Sequence, residues 1–335
     1  MMLKEEKMIK KDETITNKIN FFILVILGAA LLSFVFFFQF VSMVGGEIGN
    51  PATVITQLQV GNVFPEVLNV SIDNDASTIT LIANNTKLVS CEALIRDWNN
   101  ESDFSSVRAE FFNSSWGGAD DNNMHYTNRS CKINLTFVSW HGIIDDNYTA
   151  LANCTFNVWY YANSGKWNCT VFVNDTSNWN ATGSDNINIS ELLAVGLPST
   201  INYGTVNATY VSAERAADVT NFGNVAIDVA LSGYAVVAGD NNSMNCTLGS
   251  IKNISIGYEK YNLNRSISGV LSLTEFSNNY TNLTGSPFTQ EYNLNYRQND
   301  VTNEAINSTY WRIYVPLGVA GTCQGNIVFG AIKST

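Results

Sequence analysis

The stretch Val89–Asp97, which reads VSCEALIRD, alternates apolar and polar side chains along the chain. Successive side chains of a β-strand point to opposite faces of the sheet, so this period of two predicts a strand with one buried face. Val67–Ile72 and Thr78–Ile82 show the same alternation, and residues typical of turns separate the three stretches. Short strands spaced in this way predict an antiparallel β-sandwich.

The same pattern continues to the C-terminus and predicts two β-sandwich domains, at residues 66–190 and 191–335. In the first domain, further strands are predicted at Val107–Asn113, Cys131–Val138, Cys154–Ala162 and Lys166–Asp175. In the second domain, strands are predicted at Leu192–Tyr203, Ala217–Leu231, Met244–Gly257, Glu291–Gln298, Thr309–Pro316 and Gly321–Ile332. One short helix is expected at Ser272–Tyr280, with Ser272 as its cap and Glu275 at the third helical position. The predicted fold class is therefore mainly β.

A long apolar run, Phe21–Val44, precedes both predicted domains and contains no charged residue. About 20 such residues are enough to cross a bilayer as a helix, so the run predicts a transmembrane anchor. Five Lys residues lie before the run, and none follows it up to residue 60. This asymmetry places residues 1–20 in the cytoplasm and the bulk of the chain outside the cell, with residues 45–65 as a linker. The alternative is a cleaved signal peptide, whose apolar core is usually shorter.

The charge balance favours some partners over others. The chain has 18 basic and 29 acidic residues and a net charge of −11. Nucleic acids and anionic lipid headgroups are bound by basic patches, so no nucleic-acid partner is expected. The expected partners are the lipid bilayer, through residues 21–44, and a protein or glycan of the cell surface.

Asn-x-Ser/Thr triplets recur throughout the predicted outer part, and each is an acceptor site for N-glycosylation in an exported chain. The alternative is a strand whose outer face alternates Asn and Thr, which produces the same triplet without a glycan. The candidate asparagines are Asn69, Asn84, Asn100, Asn113, Asn128, Asn134, Asn147, Asn174, Asn188, Asn207, Asn253, Asn282 and Asn307.

Three stretches resemble known exported domains. Val89–Asp97, with the Asn99–Phe104 turn that follows, resembles a strand and turn of immunoglobulin-like and PKD-like surface modules. Gly165–Asp175, GKWNCTVFVND, resembles the G-x-W-x-x-x-V-x-V-x-D ending of those modules. Asp218–Val229 resembles a segment of exported β-sandwich domains in which Asn-Gly supplies a turn or bulge. The layout as a whole is similar to single-anchor surface proteins of archaea, a resemblance that implies a fold rather than an activity.

The six cysteines predict disulfides, since an even number outside a membrane indicates an oxidising compartment. Cys246 and Cys323 are the two cysteines of the second predicted domain and are expected to pair. The immunoglobulin-like resemblance implies a bridge from Cys91 to Cys169 between the two sheets, and Cys131 is then paired with Cys154. A zinc site is the alternative, but the C-x-x-C spacing usual for zinc is absent.

Residues with catalytic or metal-binding chemistry are few. His125 and His141 are the two histidines, and no nucleophile elbow, zinc-protease motif or phosphate-binding loop is present. No catalytic residue and no cofactor are therefore expected. Oxygen-rich loops suit Ca²⁺, although Asp and Asn are also ordinary turn residues. The calcium candidates are Asp120, Asp121, Asp145 and Asp146.

Four tryptophans in polar turns, Trp98, Trp116, Trp140 and Trp179, are candidates for stacking on a sugar or a partner protein. The predicted function is a membrane-anchored extracellular glycoprotein that acts as a binding, adhesion or envelope-structural module and is not an enzyme. The alternative is a cell-surface glycan hydrolase with two carboxylates about 5–10 Å apart across a cleft. A filament subunit that packs through its apolar segment is a third class.

Overall fold

The structure is a computed structural model that describes residues 54–298 and 305–335. The predicted cytoplasmic tail and the predicted anchor Phe21–Val44 lie outside these ranges. Within them, no helix is long and apolar enough to cross a membrane. The chain divides into two compact units, residues 1–60 and residues 61–335. In the first unit, residues 54–60 have no regular secondary structure, and their side chains are exposed.

The first half of the second unit is a sandwich of two sheets. One sheet has the strand order β1-β3-β9-β6, the facing sheet has the order β2-β11-β10-β4-β5, and β7 and β8 form a separate hairpin. All neighbouring strands are antiparallel except β2 and β11. The strands are β1 Glu66–Ile72, β2 Thr78–Ile79, β3 Thr86–Arg96, β4 Phe104–Asn113, β5 His125–Asn128, β6 Lys132–Asn134, β7 Ser139–Trp140, β8 Ile143–Ile144, β9 Thr149–Trp159, β10 Gly165–Asp175 and β11 Asn180–Ile189.

The apolar residues of the alternating pattern in the sequence form the core of this sandwich. Val89, Cys91 and Ala93 on β3 are fully buried, as is Trp167 on β10. The Trp167 ring stacks on Phe111 at 4.9 Å. Each side chain of this size contributes roughly 1.5–3 kcal/mol when it is transferred from water to the core.

All three predicted disulfides are present. Cys91–Cys169 joins β3 to β10 and so connects the two facing sheets. Cys131–Cys154 joins β9 to the residue before β6, in the same sheet. Cys246–Cys323 lies in the second sandwich. The described residues contain no free cysteine.

The second half of this unit forms a more open sandwich with its own core. Its sheets have the strand orders β12-β13-β20-β17-β18, β19-β14-β22 and β16-β15-β21. The helix α1, Leu273–Asn279, begins at the predicted cap Ser272, which forms a reciprocal capping box with Glu275. The strands are β12 Val195–Gly196, β13 Arg215–Asn221, β14 Ile227–Tyr234, β15 Asn242–Gly249, β16 Asn253–Ser255, β17 Glu259–Asn262, β18 Thr281–Asn282, β19 Phe288–Leu294, β20 Ile306–Ile313, β21 Val319–Gln324 and β22 Asn326–Lys333.

Several predicted strands differ from those in the structure. Only Val195–Gly196 of the predicted strand Leu192–Tyr203 is a strand. The predicted strand Gly321–Ile332 is part of two strands separated at Gly325, where a Cβ atom would lie 1.7 Å from the carbonyl oxygen of Ser243. Strand β11 was not predicted because its sequence, NATGSDNINI, contains few apolar residues.

The two sandwiches meet at a junction built around Asn224, which is 1% exposed. Its Oδ1 accepts a hydrogen bond from the Leu192 amide at 2.7 Å. Its Nδ2 donates to the carbonyl oxygens of Ala162 at 2.9 Å and Ser190 at 3.1 Å. The neighbouring Gly223 must lack a side chain, because a Cβ atom there would lie 2.0 Å from the Leu192 carbonyl oxygen. The Asn-Gly segment recognised in the sequence is therefore a connection between the sandwiches.

Aromatic and amide side chains extend this junction. The Tyr296 hydroxyl donates to Asn163 Oδ1 at 2.9 Å, and the Arg297 guanidinium lies 4.7 Å from the Tyr161 ring. Asn163 and Tyr161 belong to the turn between β9 and β10. The junction therefore lies at the end of the first sandwich where β10 begins, opposite to the end where β3 and β10 finish.

The junction yields a stability prediction. Asn224→Ala leaves two carbonyl oxygens and one amide without their buried partner, so we expect the free energy of unfolding to fall by about 2–3 kcal/mol. Urea denaturation of the full chain measures this loss. The control is Asn186→Ala on an exposed face of β11, which should change the free energy by less than about 0.5 kcal/mol. Equal effects of the two substitutions would contradict the assigned role of Asn224.

Candidate functional site

Three aspartates meet at the end of the first sandwich that is opposite to the junction. Asp97 directly follows β3, Asp103 ends a 3₁₀ turn before β4, and Asp175 is the last residue of β10. One carboxylate oxygen from each residue lies within 4.8 Å of the other two. We call these residues the aspartate cluster. Two unit charges about 5 Å apart repel by roughly 3 kcal/mol at an effective dielectric constant of 20, so the cluster is electrostatically unfavourable by itself.

Asp97 is the most constrained member of the aspartate cluster, since its side chain is fully buried. Its amide donates to the Tyr148 carbonyl oxygen, and its Oδ1 accepts from the Asn99 amide at 2.8 Å. Its Oδ2 is buried and has no hydrogen-bond partner. Burial raises the pKa of Asp97, as do the charges of Asp103 and Asp175, although the Asn99 amide lowers it.

Asp175 is also fully buried, and both of its carboxylate oxygens accept hydrogen bonds. Oδ1 accepts from the Trp179 amide at 2.8 Å, and Oδ2 accepts from Nδ2 of Asn62 at 2.6 Å. Asp103 is only half-buried and accepts a short hydrogen bond from the Thr176 hydroxyl. Asn62 therefore connects the start of the compact unit to the aspartate cluster.

Further acidic residues surround this end of the sandwich. Burial raises the pKa of Glu101, and the charges of Asp145 and Asp146 raise it further. Asp146 is partly desolvated, but hydrogen bonds from Tyr148 and Thr149 and the charge of Arg96 lower its pKa overall. This end of the sandwich is therefore strongly negative.

The calcium candidates predicted from the sequence do not join the aspartate cluster. Asp120 Oδ1 lies 2.8 Å from Nδ1 of His125 and accepts from the Thr127 hydroxyl. Asp121 caps the Asn123 amide. These two residues shape the turn before β5.

Asp145 and Asp146 lie between β8 and β9. The Oδ2 atom of Asp145 accepts from the Phe137 amide at 3.3 Å, whereas its Oδ1 is buried and has no partner. Asp146 Oδ1 accepts from the Tyr148 amide and the Thr149 hydroxyl. Within the described residues, the aspartate cluster is the one group of three or more potential metal ligands.

Two of the predicted contact tryptophans lie beside the aspartate cluster. Trp98 is 50% exposed, lies 5.4 Å from the Tyr148 ring, and has the Arg96 guanidinium 4.9 Å from its own ring. Trp179 is partly exposed, and its ring stacks on Phe64 at 4.0 Å. Both rings retain exposed area for a ligand.

The other two predicted tryptophans have structural contacts. Trp140 is buried, and its Nε1 donates to Glu92 at 3.3 Å, which corrects its prediction as a surface contact residue. Trp116 is half-buried, and its Nε1 donates to the Ala119 carbonyl oxygen in a loop after β4. The four rings therefore do not form one binding surface.

The sequon asparagines differ in accessibility. Asn113 is buried, and its Oδ1 accepts two hydrogen bonds from Ser115, so a glycan there would require local rearrangement. Four others, Asn100, Asn128, Asn134 and Asn174, are half-buried. The remaining eight are exposed, namely Asn69, Asn84, Asn147, Asn188, Asn207, Asn253, Asn282 and Asn307.

An open groove of about 1050 Å³ in the second sandwich contains a second unusual carboxylate, Glu259. Glu259 is 2% exposed, and its Oε1 accepts from the Tyr203 hydroxyl at 2.8 Å. Burial raises the pKa of Glu259 to about 7, although the Tyr203 hydrogen bond lowers it. No second Asp or Glu lines this groove among the residues that the structure describes.

Neither carboxylate group has the geometry of a glycan hydrolase. Such enzymes hold two carboxyl groups about 5–5.5 Å apart, or 6.5–9.5 Å apart, on either side of the sugar. Two of the three side chains of the aspartate cluster are fully buried rather than exposed to a cleft. Glu259 has no carboxylate opposite it in the groove.

No protein-family model and no curated protein matches the sequence. Among solved structures, the chain is similar to the C-terminal domain of the AgI/II polypeptide BspA from Streptococcus agalactiae. The identity is 11%, the match covers 81% of this chain and 100% of that chain, and the TM-score is 0.22.

A chain from a chaperone–tip adhesin complex of CFA/I fimbriae biogenesis has 10% identity over 80% of this chain and 81% of that chain, with a TM-score of 0.29. A third similar structure is Escherichia coli alpha-2-macroglobulin, with 6% identity over 79% of this chain and 22% of that chain and a TM-score of 0.23. At these TM-scores, the likenesses carry no argument about function.

Glu259 gives a pH prediction. Its pKa is about 7 in the folded chain, and an unfolded glutamate has an ordinary value of 4.5, so stability is lost as the pH rises through this interval. We expect about 2–3 kcal/mol less stability at pH 8 than at pH 5 from this group. Glu259→Gln keeps an acceptor for Tyr203 and should remove that part of the pH dependence in urea denaturation. Glu291→Gln is the control, since it makes the same chemical change at an exposed position of β19, outside the groove.

Proposed function

We propose that this chain is a membrane-anchored extracellular module with a structural or adhesive role at the cell surface. The proposed anchor is Phe21–Val44, with residues 1–20 inside the cell and the sandwiches outside. The layout similar to that of single-anchor archaeal surface proteins agrees with this topology.

The observation that carries the proposal is the state of the cysteines. All six are paired, in bridges that staple both sandwiches. Bridges of this kind persist in secreted and surface proteins and are rare in a reducing cytosol. A chain that uses its entire cysteine content in this way is adapted to an oxidising compartment.

The junction between the sandwiches supports a mechanical role. The buried Asn224 amide and the Tyr296 and Arg297 contacts fix the second sandwich to the end of the first. A connection through buried hydrogen bonds resists bending more than a flexible Gly/Ser-rich linker would. We propose that the two sandwiches act as one stiff spacer or presenting arm, with a protein or glycan of the surface as the partner.

We also propose that the exposed sequon asparagines carry glycans. They lie on both sandwiches, and glycans there would solubilise a surface with few charged residues. We propose a binding or structural role rather than the hydrolase alternative, because two carboxylates of the aspartate cluster are buried and Glu259 is the one acidic residue that lines its groove among the described residues.

The proposal predicts the behaviour of native material from membranes. Under denaturing, non-reducing conditions, alkylation should label no thiol, and six thiols should react after reduction. Carbonate washing should leave the full-length chain in the membrane pellet, because a transmembrane helix resists extraction at high pH. Free thiols before reduction would contradict the compartment, and release of full-sized protein by carbonate would contradict the anchor.

A further inference from the structure

We propose that the aspartate cluster binds one Ca²⁺ ion, held by the carboxylates of Asp97, Asp103 and Asp175. Asp97 and Asp103 are close in sequence, but Asp175 is distant from both, and none of the three belongs to a metal motif. The proposal does not depend on the proposed function, because it rests on the local geometry of one end of the first sandwich.

The Oδ2 atom of Asp97 favours a bound cation, because it has no hydrogen-bond partner. Buried polar atoms are almost always hydrogen-bonded, so a buried carboxylate oxygen without a partner calls for an explanation. The Asp97 side chain is fully buried and its Oδ2 has no hydrogen bond, while Asp103 and Asp175 each bring a carboxylate oxygen within 4.8 Å of a carboxylate oxygen of Asp97. A cation between the three residues would give this oxygen a ligand bond.

The negative charge of the aspartate cluster also favours a bound cation. None of the ion pairs found among the described residues involves Asp97, Asp103 or Asp175. Glu101 lies in the same 3₁₀ turn as Asp103, and the charges of Asp145 and Asp146 act on it, so this end of the sandwich carries further negative charge. A divalent cation would neutralise most of the charge that the chain itself leaves uncompensated.

The ligand atoms of the aspartate cluster favour Ca²⁺ over other metal ions. The cluster offers only oxygen ligands, which excludes a zinc site of the usual nitrogen and sulfur type. Ca²⁺ accepts six to eight oxygens in irregular arrangements, whereas Mg²⁺ demands a near-ideal octahedron. Three carboxylates from a strand end, a turn and a second strand, completed by water, suit Ca²⁺.

The position of Asn62 gives the ion a structural consequence. Asn62 is hydrogen-bonded to Asp175, the Val63 amide donates to Asn99, and the Phe64 ring stacks on Trp179. Ca²⁺ would therefore fasten the segment where the chain enters the first sandwich. Removal of Ca²⁺ should loosen this segment first.

The test is thermal unfolding and calorimetric titration of the metal-free full chain with CaCl₂. We expect one site with a dissociation constant of about 10⁻⁴–10⁻³ M, as in extracellular calcium modules. At about tenfold or greater excess over that constant, the unfolding midpoint should rise by roughly 5 °C. Asp97→Asn should abolish both the heat of binding and this rise. In EDTA the same variant should unfold at or above the wild-type midpoint, because one of three repelling charges is gone.

Asp120→Asn is the matched control, since it makes the same chemical change at a calcium candidate outside the cluster and should keep the full response. Asp103→Asn is the second site variant, because Asp103 is only half-buried and its loss disturbs packing less. An unchanged midpoint and no heat on adding Ca²⁺ would overturn the site, as would a full response in both Asp97→Asn and Asp103→Asn. A rise of equal size with MgCl₂ would overturn the assignment to calcium.

Discussion

The covalent bridge between Cys91 and Cys169 is the constraint on which the first sandwich depends. It joins the central region of β3 to that of β10, in facing sheets, so the two strands cannot slide past each other. Closing a loop of 78 residues stabilises the fold by about 4 kcal/mol on the chain-entropy model. Both strands run from the bridge toward the same end, and they finish beside Asp97 and Asp175. The same bridge that secures the core therefore sets the positions of two of the three clustered carboxylates.

The opposite end of the first sandwich contacts the second sandwich. There the turn between β9 and β10 receives Asn224 from the second sandwich, and buried hydrogen bonds replace a flexible linker. One end thus concentrates negative charge around the segment where the chain enters, and the other end holds the next sandwich. The first sandwich is thus held at both ends, by the entering segment at one end and by the second sandwich at the other.

The sequence predicted the parts of the fold that depend on local pattern. Alternation identified β3 and β10, the Ser272–Glu275 spacing identified the only α-helix among the described residues, and the cysteines were paired correctly. Strand β11 was missed because Ile187 and Ile189, at its C-terminal end, are its only buried apolar residues, whereas its whole length pairs with β10. The aspartate cluster was not predicted from the sequence, because Asp97 and Asp175 come from distant parts of the chain. Each residue by itself is typical of an ordinary turn. Asp97 and Asp175 each end a stretch that was predicted as a strand. Only the pairing of the strands in the folded sheets shows that these two ends lie side by side.

The most direct measurement is an experimental electron-density map of crystals grown with Ca²⁺. We predict one strong peak between Asp97, Asp103 and Asp175, surrounded by six to eight oxygens at about 2.3–2.6 Å. The same map should show the Cys91–Cys169 bridge intact. A map in which the three aspartates point away from one another, or enclose only ordered water at saturating Ca²⁺, would contradict the proposed calcium site.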